Sequence, residues 1–205
     1  MKKAALILNG DTFTRKGIAE KYIVCADNGY RMCKELGIVP DAIVGDMDSL
    51  QEDLGNIPES VELLRFPAKK NETDGELAMD VLINRGYNRV NVYGADGGRL
   101  DHIIGNISLI YAALKKGCRA VLKTNLCDVY LVNGYFEHTA NIGETFSIVP
   151  YMGDVHIIKT EGLEYVVKDQ VLKAGTTLGI SNVATAETVV ISIESGMALV
   201  FRTFE

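Results

Sequence analysis

The chain has 205 residues, 47% of them hydrophobic and 23% charged, with a formal net charge of −6. That length holds one large domain or two small ones with a real core, and the composition excludes a disordered chain. The acidic balance argues against a general nucleic-acid binder, which needs a basic face, and no apolar run approaches membrane-spanning length.

Met1-Lys2-Lys3 leads into Ala4–Leu8, a short apolar stretch with no small-residue cleavage site. It reads as a buried strand rather than a signal peptide, which predicts a cytoplasmic protein. Short apolar runs at Tyr22–Ala26, Ala42–Val44, Val61–Phe66, Val90–Tyr93 and Ala120–Leu122 predict further buried strands. Helical stretches lie between them. Tyr30–Leu36 is followed by Gly37, a C-terminal cap. Ser49-Leu50-Gln51-Glu52 and Thr73-Asp74-Gly75-Glu76 both fit the capping box, and the helix after Thr73 is expected to end at Gly86. Ile103, Ile104, Ile107, Ile110, Tyr111 and Leu114 share one helical face, with Gly117 as the stop.

From about residue 126 the texture changes. Asp128–Val132, Glu144–Val149, Val155–Lys159, Tyr165–Val167, Val171–Leu172, Glu187–Glu194 and Ala198–Thr203 predict strands punctuated by glycines, with no convincing helix. The expected fold class is therefore α/β. An N-terminal, mostly parallel, Rossmann-like sheet with flanking helices spans 1–124, and a C-terminal all-β sandwich spans 125–205. Cys25, Cys33, Cys118 and Cys127 show no CxxC spacing, so structural zinc is not indicated and they read as buried thiols of a reducing compartment.

In a doubly wound sheet, ligands bind beyond the carboxyl ends of the strands. Those ends carry Asn9-Gly10-Asp11, Asp27-Asn28-Gly29, Gly45-Asp46-Met47-Asp48-Ser49, Lys69-Lys70-Asn71-Glu72-Thr73-Asp74 and Gly94-Ala95-Asp96-Gly97-Gly98-Arg99-Leu100-Asp101-His102. Asp46 and Asp48 stand two apart, so in extended geometry both carboxylates point to one side. Two such carboxylates repel unless a cation or proton intervenes, and Mg²⁺ uses a few carboxylates together with substrate phosphates. Equally, Asp48-Ser49 could simply begin a helix. Asp74 suits the first turn of its helix on dipole grounds alone. Lys69 and Lys70 could reach phosphate oxygens or be an ordinary solvated pair. Gly97-Gly98 lets backbone approach a ligand, Arg99 offers a planar fork for phosphate, and Asp101 and His102 open a long helix. A glycine turn with an Asp helix cap accounts for Asp101 and the glycines but not for Arg99, and His102 could equally be a packed or capping histidine. There is no GxxxxGK[ST], no GxGxxG and no Ser-His-Asp arrangement.

The series Cys25-Ala26-Asp27-Asn28-Gly29, Gly45-Asp46-Met47-Asp48-Ser49, Lys70-Asn71-Glu72-Thr73-Asp74 and Gly97-Gly98-Arg99-Leu100-Asp101-His102, with Asn106 following, resembles the thiamine pyrophosphokinase family. Gly179-Ile180-Ser181-Asn182 looks like that family's thiamine-side motif, so the resemblance covers nearly the whole chain. Asn28 stands where the family commonly has Gly and Asn71 where it commonly has Asp, and the chain has no Trp to stack on thiamine.

The resemblance implies transfer of pyrophosphate from ATP to the hydroxyl of thiamine, giving thiamine diphosphate and AMP, with Mg²⁺. It also implies a homodimer whose sites are shared between chains. By the same resemblance Asp46, Asp48 and Asp74 would hold the metal. Asp27, Asn28, Asp46, Ser49, Lys70, Thr73 and Arg99 would bind ATP, and Asp74, Arg99 and Asp101 would be catalytic. Asp101, Asn106, Ser181 and Asn182 would bind thiamine. The first domain would carry ATP and Mg²⁺, the second thiamine and the dimer contact. The alternatives are pyrophosphorylation of a pterin alcohol and a non-enzymatic nucleotide or thiamine diphosphate sensor. The metal-type carboxylates argue against the sensor, and the all-β second domain favours thiamine over a pterin.

Overall fold

The structure is a computed structural model and describes residues 1–10, 17–50 and 54–204. The chain divides into two compact units, Met1–Asn125 and Leu126–Glu205.

The first unit opens with β1 (Lys3–Ile7), β2 (Ile23–Ala26), α1 (Tyr30–Leu36), β3 (Ala42–Gly45) and β4 (Glu62–Arg65). It continues with α2 (Asp74–Asn84), β5 (Arg89–Tyr93), α3 (Leu100–Lys115) and β6 (Arg119–Lys123). Its strands are parallel and run in the order β6-β5-β1-β2-β3-β4. The order reverses between β1 and β5, which makes the carboxyl ends of those two strands the crevice of this sheet. Alternation along β1 and β2 sends Ala5, Ile7, Ile23 and Cys25 to one face, where Tyr30, Met32 and Cys33 of α1 cover them. α2 packs over β1, β2 and β3, and α3 packs on β6 and α2. With both faces covered, the central strands are apolar throughout: Ala4 to Ile7 and Ala42 to Val44 are fully buried.

The helix signals resolve unevenly. α1 ends at Gly37 in a left-handed conformation (φ 67°), and α2 ends just before Gly86. The box at Thr73 forms: Thr73 Oγ1 accepts from the Glu76 N–H at 3.2 Å, and Glu76 Oε2 accepts from the Thr73 N–H at 2.9 Å. The box expected at Ser49 involves Gln51 and Glu52, which lie outside the described residues. Asp48–Leu50 is a single 3-10 turn. On α3 the buried positions are Leu109, Ile110 and Ala113, whereas Ile104 is 57% exposed. The inward face is therefore rotated from the predicted isoleucine stripe.

The second unit is antiparallel, with strands β7 (Cys127–Val132), β8 (Tyr135–Thr139), β9 (Thr145–Pro150) and β10 (Val155–Glu161). β11 (Lys168–Leu172), β12 (Asn182–Val183), β13 (Thr188–Ser195) and β14 (Ala198–Thr203) follow. One layer runs β12-β9-β14-β7 and the other β11-β10-β13-β8. Phe146, Ile148 and Val200 from the first layer and Val155, Ile157, Val189 and Ile191 from the second form the core between them. Tyr165–Val167 is not a strand. The Tyr165 backbone is held instead by the Asn182 side chain, and the Val167 N–H donates to Thr160 Oγ1. β8 was missed because its alternation of aromatic, acidic and hydroxyl residues carries little apolar signal. Among the described residues no helix is long and apolar enough to cross a membrane. The cysteines are free, with Cys25, Cys33 and Cys118 buried and Cys127 half-buried. Burial pushes the Cys118 thiol up to about 11.

Candidate functional site

The crevice is built by close approach of backbone. A Cβ on Gly10, past the end of β1, would lie 2.4 Å from the carbonyl oxygens of both Gly94 and Asp96, past the end of β5. Only glycine lets these two loops meet. Gly97 and Gly98 continue with positive φ (86° and 66°) into α3. Asn106, two turns into that helix, donates from Nδ2 to the Ala95 carbonyl at 2.8 Å. Asn106 thus pins the glycine loop to α3.

The next strand ends bring acids together. Asp27 follows β2 in a left-handed conformation (φ 42°), in a 3-10 turn with Asn28 and Gly29. Its Oδ2 accepts from Ser49 Oγ at 2.8 Å. Its Oδ1 is buried and has no hydrogen-bond partner among the described residues. Gly45 ends β3 in the gap between two carboxylates. A Cβ there would stand 3.0 Å from Asp27 Cβ and 3.3 Å from Asp74 Oδ1. Asp46 Oδ1 accepts from the Asp48 N–H at 3.0 Å, folding Asp46–Asp48 around a buried Met47 with φ 65°. Ser49 is therefore a hydrogen-bond partner of Asp27.

Asp74 is the first residue of α2, positioned by the Thr73 cap. Lys70 reaches back to it with Nζ 2.5 Å from Oδ1. The Thr73 hydroxyl and N–H are both engaged in the cap. Arg99 and Asp101 form an exposed fork, with Nε to Oδ1 at 3.1 Å and the terminal nitrogen to Oδ2 at 2.6 Å. Asp101 also accepts from the His102 N–H. The Arg99 guanidinium, aided by that N–H, holds the Asp101 carboxyl below its usual range, and Asp101 raises Arg99 in return. Asp101 is ionised, and in this pairing it is a weak proton acceptor.

In the second unit Ser181 is exposed with φ 59°, and its N–H donates to Ser147 Oγ at 3.0 Å. Asn182 is 7% exposed. Its Oδ1 accepts from the Tyr165 and Val183 N–H groups, and its Nδ2 donates to the Tyr165 carbonyl. These bonds engage both ends of the Asn182 amide within the chain. The amide holds the 165 turn against the start of β12, next to Ser181.

The donor set suits a hard, oxygen-seeking cation. Among the described residues, no three His, Cys, Asp or Glu side chains converge as a metal cage. Mg²⁺ does not need one: it keeps waters and takes one or two carboxylates together with substrate phosphates. Asp27 and Asp74 flank Gly45, and Asp27 Oδ1 has no hydrogen-bond partner among the described residues, which leaves this acidic corner open to a cation. The sequence did not reveal that Gly45 spaces Asp27 from Asp74, nor that Lys70 and Asp101 already hold partners. No sequence signal identifies either feature, since both depend on which loops meet across the sheet.

Two family models match the chain in order. "Thiamin pyrophosphokinase, catalytic domain" matches residues 16–122, and "Thiamin pyrophosphokinase, vitamin B1 binding domain" matches residues 135–198. A thiamine pyrophosphokinase of Bacillus subtilis is 28% identical over 181 residues, covering 86% of this chain and 85% of that protein. The crystal structure of a thiamine pyrophosphokinase from Bacillus subtilis superposes with a TM-score of 0.88 at 21% identity. That of a thiamin pyrophosphokinase family protein from Enterococcus faecalis gives 0.88 at 22%. Both cover 100% of each chain, and they carry the fold.

Proposed function

We infer the activity from one premise: the chain belongs to the thiamin pyrophosphokinase family. It transfers a pyrophosphoryl group from ATP to thiamine, giving thiamine diphosphate and AMP. The hydroxyethyl oxygen of thiamine bonds to the β-phosphorus, the bond from that phosphorus to the oxygen bridging the α-phosphate breaks, and AMP leaves with that oxygen. The observation that carries the reading is the ordered match of both domain models. Carboxylates and cations gathered at the strand ends of the first unit support it, because this chemistry relies on positioning and charge neutralisation. Thiamine-dependent AMP release, lost with EDTA, tests it. Folded protein that makes no AMP with thiamine and Mg²⁺ present would overturn it.

The roles of individual residues follow as proposals. Domain 1–124 binds ATP and Mg²⁺, and domain 125–205 binds thiamine and the partner copy. Asp46, Asp48 and Asp74 hold Mg²⁺, which when bound would neutralise phosphate charge. Asp27, Asn28, Ser49 and Thr73 line the nucleotide side. Lys70 and Arg99 contact phosphates, Lys70 as a mobile point charge and Arg99 as a planar fork. Asp101 accepts the proton of the attacking hydroxyl. While Arg99 stays paired with it, Asp101 is too acidic to do so readily. Once Arg99 turns to the phosphates, that restraint is lifted. Asn106 fixes the loop that carries both. Ser181 meets the aminopyrimidine across a homodimer interface. The same reading makes the protein cytoplasmic.

A further inference from the structure

The Lys70–Asp74 pair has a geometry that its sequence spacing alone does not produce. Lys70 lies before α2, outside the helical register, and the capped turn at Thr73 folds it back over the first helical residue. Its side chain is 13% exposed and that of Asp74 30%, with Nζ 2.5 Å from Oδ1. An ammonium at that distance occupies the oxygen a divalent cation would take, and two cations cannot share it without strong repulsion. While the pair stands, Lys70 is also held back from any phosphate. The proposed duties of the two residues therefore compete with their ion pair.

We infer that Lys70 is the built-in counter-ion of Asp74 and keeps free metal off that carboxylate until nucleotide arrives; this rests on the reading of Asp74 as a metal carboxylate. The triphosphate draws Lys70 away and leaves the Asp74 oxygen to the cation that travels with it. Metal alone must break an ion pair to bind. Nucleotide alone would leave Asp74 bare beside phosphates, across Gly45 from Asp27, whose Oδ1 has no hydrogen-bond partner among the described residues. Each ligand therefore removes a cost from the other, which is positive coupling between them.

Mn²⁺ serves as the probe, with free ion counted by electron paramagnetic resonance. It is titrated into wild type, Lys70→Met and Asp74→Asn, with and without a non-hydrolysable ATP analogue. Without nucleotide, Lys70→Met is expected to bind Mn²⁺ at least about tenfold tighter than wild type. The gain in Mn²⁺ affinity on adding the analogue is expected to shrink by a similar factor. Equal or weaker Mn²⁺ binding by Lys70→Met overturns the proposal, and Lys70→Ala repeats the measurement if the methionine variant does not fold. Failure of the underlying reading looks different: Asp74→Asn would then leave Mn²⁺ binding in the presence of the analogue unchanged.

Discussion

Replacing Gly45 by alanine adds one methyl group at the point where Asp27 and Asp74 approach each other. The new Cβ would stand 3.0 Å from Asp27 Cβ, 3.3 Å from Asp27 Cα and 3.3 Å from Asp74 Oδ1, where ordinary contact begins at 3.4 Å. Asp27 must retreat by about 0.4 Å and the Asp74 carboxylate by about 0.1 Å. Gly45 has no left-handed φ, so alanine fits the backbone and restricts the unfolded chain, a gain of about 0.4–1 kcal/mol that offsets part of the crowding. Stability should thus change by about 1 kcal/mol or less, a few degrees in Tm. Catalysis is more sensitive, since a displacement of about 1 Å can cost on the order of 100-fold. A fall of about tenfold in kcat/KM is expected from the smaller shift. The assay is thiamine-dependent AMP release beside a thermal melt, with Gly134→Ala as control because no atom of the described residues lies within 4 Å of its added methyl. A folded Gly45→Ala enzyme with wild-type kcat/KM would refute the claim that this gap sets the carboxylate spacing.

Asp101→Asn should lower kcat about 100-fold or more while a non-hydrolysable ATP analogue binds as before in calorimetry. Equal losses in both would move Asp101 from proton acceptor to nucleotide contact. In the second unit, Arg202 grips Glu144 through bonds of 2.9 and 2.7 Å, and that grip holds the carboxyl at about 2 against an ordinary 4.5. A depressed folded value stabilises the native state above the unfolded value. About 2 kcal/mol, after allowing for solvent screening, should be lost as pH falls from 4.5 towards 2. Denaturant melts of wild type and Glu144→Gln should converge in that window, and parallel curves would contradict it. His156 lies between Asp169 at 2.8 Å and Glu194 at 2.6 Å, which raises its pKa above 6.5, Asp169 first. Its contribution is complete below pH 6.5 and is lost as pH rises through the folded value. The Tm of His156→Gln should accordingly fall less than that of wild type between pH 6 and 8, and identical slopes would refute the pairing.

The parallel unit was legible because strands covered on both faces read as plain apolar runs, and because Gly37, Gly86 and Gly117 stop helices at the expected places. The second unit was less so. β8 has no apolar stripe, and the Tyr165–Val167 run is shaped by one buried amide from Asn182, whose sequence separation hides it. The isoleucine face of α3 misled because the helix buries Leu109 and Ala113 and leaves Ile104 to solvent. The strand-end series identified which loops carry the chemistry. It could not disclose the pairs inside those loops, Lys70 with Asp74 and Arg99 with Asp101. The sequence supplies partners at plausible spacing, but turn geometry decides whether they touch.

The order in which the strands lie has a consequence for how the chain is made. β1 through β4 are laid side by side in the order of synthesis, and then β5 returns to the far flank of β1. Until Arg89–Tyr93 has been translated, β1 presents a bare edge whose side chains, Ala4 to Ile7, will be fully buried in the finished sheet. At common translation rates that interval is on the order of ten seconds. An unpaired, flat, apolar strand is a template for pairing with another chain. The same crossover that creates the crevice thus leaves the nascent protein open to self-association, and its yield at high expression should depend on how quickly β5 closes that edge.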